Sequence, residues 1–112
     1  MIKITGGKFK NQSLETLSKF VRPTSSLKRE AFFSIIQSYM LQEKIDLFQE
    51  KIFLDLFAGF GTMGLEAISR GMKKSIFYEN NQKVIGVLKI NCKKFCKSEQ
   101  YKIIKKDISI LN

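Results

Sequence analysis

The sequence contains no histidine, one proline (Pro23) and two cysteines among its 112 residues. With no histidine to complete a mixed metal site, Cys92 and Cys96 read as reduced packing or surface thiols, and no bound metal is expected. No run of about 18 consecutive apolar residues occurs, so nothing predicts a membrane-spanning helix. The start, Met1-Ile2-Lys3-Ile4-Thr5, lacks the apolar centre of a secretion signal. The expectation is a cytoplasmic protein with no membrane partner. Acidic side chains are scarce as well: 10 stand against 20 Lys and Arg, a net charge of +10.

What is present is enough apolar material, 44% of residues, to build a core within one domain or part of one. The charge is uneven. Residues 1–30 carry seven basic and two acidic side chains, residues 31–81 five and six, and residues 82–112 eight and two. Basic ends around a neutral centre fit a ligand pocket flanked by surfaces that attract a polyanion, because Lys and Arg release counterions from phosphates. Seventeen of the basic residues are Lys, so lysine-biased codon usage is an alternative source of the charge.

Residues Ile2 to Leu14 suit a small β-hairpin turning at Gly6-Gly7, an appendage rather than core. Pro23 disfavours helix at Arg22, while Thr24, Ser25 and Ser26 are suited to cap the helix that follows. From Leu27 to Leu41, residues Leu27, Phe32, Ile35, Ile36, Tyr39 and Met40 form a core-facing stripe at helical spacing. A buried strand over Ile52–Phe57 precedes a helix over Met63–Arg70 that stops at Gly71. A strand over Ser75–Glu79, a helix presenting Val84, Leu88, Cys92 and Phe95, and a strand over Tyr101–Lys105 complete the order. That alternation predicts right-handed crossovers and an open, doubly wound α/β sheet. The expected division is a hairpin extension over 1–24 and a nucleoside-binding domain over 25–112.

Between the first predicted strand and its helix lies Gly59-Phe60-Gly61-Thr62-Met63-Gly64, a G-x-G-x-x-G pattern. Alone the pattern is weak; after a strand and opening a helix, it lets a ligand approach the backbone at a helix N-terminus. Asp55, four residues before the first glycine, favours one ligand class over the other, or merely caps the loop. A carboxylate there would repel a dinucleotide's pyrophosphate and attract the ammonium and sulfonium of S-adenosyl-L-methionine. Opposite unit charges ~4 Å apart interact by roughly 4 kcal/mol at an effective dielectric of 20, before desolvation. Glu79, closing the second strand, suits both hydroxyls of a ribose. Asp107 suits an adenine amine, or is a solvated acid in a basic loop.

The segments together resemble the RsmD-type family of bacterial methyltransferases. Ile4-Thr5-Gly6-Gly7-Lys8 is similar to that family's opening. Arg22-Pro23-Thr24 with Arg29-Glu30-Ala31-Phe32-Phe33 is similar to its second signature, and Leu54-Asp55-Leu56-Phe57-Ala58-Gly59-Phe60-Gly61-Thr62-Met63-Gly64-Leu65-Glu66-Ala67 to its cofactor loop. The resemblance implies a Rossmann-like class I S-adenosylmethionine-dependent methyltransferase sheet acting on the exocyclic amine of a guanine in small-subunit (16S) ribosomal RNA, free or in an assembling subunit. Full-length members are expected to be monomers. By the same resemblance Asp55, Phe57, Gly59, Gly61 and Gly64 hold the methionine end of the cofactor, Glu79 the ribose and Asp107 the adenine side. Arg22 and Thr24 border the pocket or simply shape the helix start. Lys8, Lys10 and Arg29 face RNA or are solvated surface charges.

One family feature is missing. Such enzymes carry Asn or Asp, then Pro-Pro and an aromatic residue, after the fourth strand, to orient the amine and stack the base. The only proline here is Pro23, so no catalytic residue is assigned and the sheet is expected to be truncated after about three strands, with the first strand left as an exposed apolar edge. Two other readings stay open: a dinucleotide-binding oxidoreductase domain, and a non-catalytic RNA-binding or assembly protein.

Overall fold

The computed structural model describes residues 2–17 and 23–106, the side chains of 23–25 excepted. Two short strands, β1 (Ile2–Lys3) and β2 (Ser13–Leu14), pair antiparallel, Ile2 opposite Leu14. Helix α1 (Pro23–Glu43) follows. The remainder is β3 (Ile52–Asp55), α2 (Thr62–Ser69), β4 (Lys74–Glu79), α3 (Gln82–Phe95), a 3-10 turn and β5 (Tyr101–Lys105). The three later strands form a parallel sheet in the order β3-β4-β5, with Asp55 beside Phe77 and Phe77 beside Ile103.

Helix ends follow local chemistry. Gly71, at φ 114°, ends α2: its N–H donates to the Ile68 carbonyl at 3.1 Å and that of Met72 to Ala67 at 3.0 Å, the paired bonds of a Schellman motif. Asn81 caps α3, its Oδ1 accepting from the N–H groups of Lys83 and Val84. Helix α1 differs from the expectation. It begins at Pro23, where a missing N–H and fixed φ suit the first turn, so Thr24, Ser25 and Ser26 lie inside the helix rather than before it.

The alternating strand pattern directs Phe53, Asp55, Ser75, Phe77, Tyr101 and Ile103 to one sheet face. Phe77 packs there with Leu65 of α2 and with Leu88, Cys92 and Phe95 of α3. Both helices share this face because the chain steps in one direction, β3 to β4 to β5, and successive crossovers of one hand fall on one side. On the opposite face Ile52 and Leu54 are each 54% exposed, and β3 has no neighbour on its outer side among the described residues.

Two expectations are corrected. The hairpin segment is not an appendage, since Ile4 and Leu14 are buried in the main core with Leu65, Phe77 and Leu88. In α1, Leu27, Phe32, Ile35 and Tyr39 are exposed rather than core-facing; the buried members are Arg29 and Phe33, with Ile36 and Met40 packed beside Phe33, Phe48 and Ala67. Leu27 and Phe32 belong to the helix's outer side, because Phe33, one position further on, takes the inward place.

Candidate functional site

The carboxyl ends of β3 and β4 and the glycine loop between β3 and α2 form one cluster. Asp55 is the last residue of β3 and is 8% exposed. Burial pushes its pKa above the ordinary 3.8; backbone N–H groups of Phe57 and Gly64 oppose the shift, and the negative Glu79 nearby adds to it. Its Oδ2 is the one buried side-chain polar atom among the described residues without a hydrogen-bond partner. A buried acceptor left unpaired in this way is costly and suits a donor supplied by a ligand.

Glu79 ends β4 and braces the loop. Its Oε1 accepts from the Gly59 N–H at 2.9 Å and its Oε2 from the Asn81 N–H at 3.0 Å. The loop is further fixed by the Ala58 N–H donating to Tyr78 at 3.0 Å and by Asn91 Nδ2 donating to Phe60 at 2.8 Å. Asn91 is fully buried, and it also exchanges two hydrogen bonds with the backbone of Glu15, at 2.8 and 3.0 Å. It therefore joins the N-terminal segment to the glycine loop.

The three loop glycines do different work. Gly61, at φ 93°, stands at the N-terminal cap of α2, and a Cβ there would lie 2.8 Å from Leu88 Cδ1. At Gly64 a Cβ would lie 2.3 Å from the Phe77 ring. Both absences of a side chain are demanded by packing of α2 on the sheet and α3. Gly59, at φ 54°, has nothing within 4 Å of where a Cβ would be, so its open side remains available to a ligand. Phe57 is 79% exposed at the edge of the same loop.

Beside the start of α2 lies a cavity of about 350 Å³ lined by Lys28, Arg29, Phe32, Thr62 and Met63. Arg29 is not the RNA-facing charge expected. It is 4% exposed, with Nε 3.0 Å from Glu66 Oε1 and its guanidinium also donating to the Lys3 carbonyl. Glu66, fully buried, accepts further from the Thr5 N–H and hydroxyl, the Gly6 N–H and Arg70 Nε at 2.7–3.0 Å. Burial alone would raise its pKa; the bonds from Thr5 and Arg70 and the Arg70 charge hold it below 4.5.

Thus Asp55, Gly59 and Glu79 are brought together, and Gly61 and Gly64 shape the loop. Lys8 and Lys10 are exposed at the other end of α2, where the Lys8 N–H donates to Ser69 at 2.7 Å. Arg22, the Thr24 side chain and Asp107 lie outside the described residues. Sequence reading missed Glu66 and Asn91. The signal for Glu66 was present: a carboxylate amid Leu65, Ala67 and Ile68, with Arg70 one helical turn on. Asn91 carries no such mark, because its partners are backbone groups distant in sequence.

A family model described as conserved hypothetical protein 95 matches residues 2–111. Ribosomal RNA small subunit methyltransferase D of Haemophilus influenzae is 34% identical over 105 residues, covering 92% of this chain and 50% of that protein. The protein of the same name from Buchnera aphidicola is 37% identical over 89 residues, 79% of this chain and 42% of its own. The chain spans about half the length of the curated relatives it matches. Among solved structures, a Haemophilus influenzae protein described as a candidate methylase superposes with a TM-score of 0.68 at 29% identity, over 94% of this chain and 51% of that one. A Thermus thermophilus protein superposes at 0.75 with 24% identity, over 98% and 58%, a likeness of fold alone.

Proposed function

Because the chain belongs to the family described as conserved hypothetical protein 95, whose named members include ribosomal RNA methyltransferases, we propose that it is the cofactor-binding part of an S-adenosylmethionine-dependent enzyme. The substrate is small-subunit ribosomal RNA, free or in an assembling particle, and the acceptor is the exocyclic amine of a guanine. The observation that carries the cofactor assignment is the unpaired, buried Asp55 Oδ2 beside a helix N-terminus. A molecule bearing an ammonium and a carboxylate fits that pair of features. Asp55 would accept from the ammonium, and the N–H groups of the first turn of α2 would face the carboxylate.

When bound, S-adenosylmethionine supplies an electrophilic methyl group on its sulfonium. The chain's own residues bind and orient. Each Glu79 oxygen accepts one backbone N–H and keeps a lone pair for a ribose hydroxyl, so Glu79 holds the loop and the sugar together. Phe57 and Gly59 would border the methionine end; the family resemblance assigns Asp107 to the adenine side, and Arg22 and Thr24 to the rim of the pocket or to the helix start. No residue of this chain is assigned to the chemical step. The cytoplasmic location follows from the ribosomal substrate; among the described residues no helix is long and apolar enough to cross a membrane.

Calorimetric titration tests the reading. S-adenosylmethionine and S-adenosylhomocysteine, which share the amino-acid end, should bind, and Asp55→Asn should weaken both at least tenfold, about 1.4 kcal/mol. Tighter binding of a nicotinamide dinucleotide, unaffected by Asp55→Asn, would overturn it.

A further inference from the structure

Two stretches far apart in sequence, residues 1–14 and 82–98, carry basic side chains and not a single acidic one. The fold joins them. Phe9, in the loop between β1 and β2, packs against Phe95 at the end of α3, with ring centroids 5.2 Å apart and the planes tilted by 52°. Lys8 Nζ lies 5.4 Å from the centre of the Phe9 ring and Lys94 Nζ 5.1 Å from that of Phe95. Lys94 also donates to the Ser13 carbonyl at 2.7 Å, bridging α3 to β2. Lys8 and Lys94 thus flank the aromatic pair, and their neighbours Lys10, two residues on in the loop, and Lys93, beside Lys94 in α3, are exposed as well.

The loop that presents Lys8 and Lys10 is held rigidly. The Lys8 N–H donates to the Ser69 carbonyl at 2.7 Å and the Phe9 N–H to Ser69 Oγ at 2.9 Å, while Ser69 Oγ donates to the Gly6 carbonyl at 2.7 Å. Gly7 makes this approach possible: at φ 79°, a Cβ there would stand 2.0 Å from the Ser69 oxygen. A pinned loop loses little backbone freedom when it engages a ligand.

We propose that Lys8, Lys10, Lys93 and Lys94 form one phosphate-anchoring surface for structured RNA, built jointly by the N-terminal loop and the end of α3. Its N-terminal half meets the last turn of α2 at Ser69, the far end of that eight-residue helix from the glycine loop, roughly 12 Å at 1.5 Å per residue. None of the four lysines belongs to the Asp55, Gly59 and Glu79 cluster, so the surface holds RNA backbone without taking part in cofactor binding. Lysines act here by releasing counterions from phosphates, which ties affinity to salt. The surface presupposes the RNA reading above.

The test is fluorescence anisotropy with a stem-loop of small-subunit ribosomal RNA at trace RNA concentration, across a series of salt concentrations. Compared are the unaltered chain, Lys8→Gln/Lys10→Gln, Lys93→Gln/Lys94→Gln and the control Lys44→Gln/Lys51→Gln, with circular dichroism and S-adenosylmethionine titration confirming that each is folded. Each patch variant should reduce the slope of log affinity against log salt by nearly 2, about 0.9 for each phosphate no longer neutralised. The control should match the unaltered chain, and cofactor affinity should be constant throughout. If the chain binds RNA but the α3 pair behaves like the control, the joint surface is wrong while the RNA reading stands. If the unaltered chain shows no RNA affinity even at low salt, both fall.

Discussion

Asp55 shows how one side chain can oppose stability while serving binding. Its folded-state pKa lies above 3.8 because burial penalises the charge, so the folded chain holds this proton more tightly than the unfolded one. The contribution of Asp55 to stability is therefore unfavourable at neutral pH and fades as pH falls through the folded value toward 3.8. Asp55→Asn should accordingly raise the thermal midpoint by a few degrees at about pH 7, and the gain should shrink toward about pH 4. The same scan should show S-adenosylmethionine affinity falling in acid, as the carboxylate takes up its proton. An Asn variant no more stable than the unaltered chain at neutral pH would remove this account.

Glu66 has the opposite sign. Its partners hold its pKa below 4.5, so its contribution is complete above that value and is lost as pH falls through the lowered one.

At the scale of elements, Glu66 is the joint between the N-terminal segment, α1 and α2, through Thr5, Arg29 and Arg70. Removing its charge leaves two almost fully buried guanidinium groups without a counterion. Glu66→Gln is expected to lose about 3–5 kcal/mol, read as a lowered urea midpoint or the absence of a cooperative transition. The glycine loop allows a finer comparison. Gly64→Ala drives a methyl group into Phe77 and should destabilise by about 1–3 kcal/mol, whereas Gly59→Ala meets no atoms and bears only the left-handed strain, about 1 kcal/mol. Denaturant midpoints should rank them so. Cofactor titration should rank them in reverse, with Gly59→Ala losing affinity while its fold persists.

At the scale of the whole molecule, the sheet has one face covered by helices and one bare. Ile52, Leu54, Leu56 and Phe57 are exposed along and just after β3, an unpaired edge among the described residues. An apolar strand edge with free backbone groups is a template for association. The 112-residue chain is expected to form concentration-dependent oligomers in light scattering, and Ile52→Lys/Leu54→Lys should shift it toward monomer. A sharply melting monomer at high concentration in the unaltered chain would contradict the bare face.

The sequence by itself determined the strand and helix order, the loop between β3 and α2, and the acidic residues at the ends of β3 and β4. These are local facts: turn chemistry, periodicity and spacing write them into consecutive residues. It also determined the family, through motifs carried in order along the chain. What only the tertiary structure decided is which side of an amphipathic stretch faces inward and which charges are paired. Arg29 looked like an RNA contact until Glu66, 37 positions away, took it into the core. Ile4 and Leu14 looked like parts of a detached hairpin until they met Leu65 and Phe77. Lys8 and Lys94, 86 positions apart, came to flank one aromatic pair only when Phe9 met Phe95. Such outcomes depend on contacts between residues remote in sequence, and the energy of burying a group depends on the partner it finds there, which no local pattern contains.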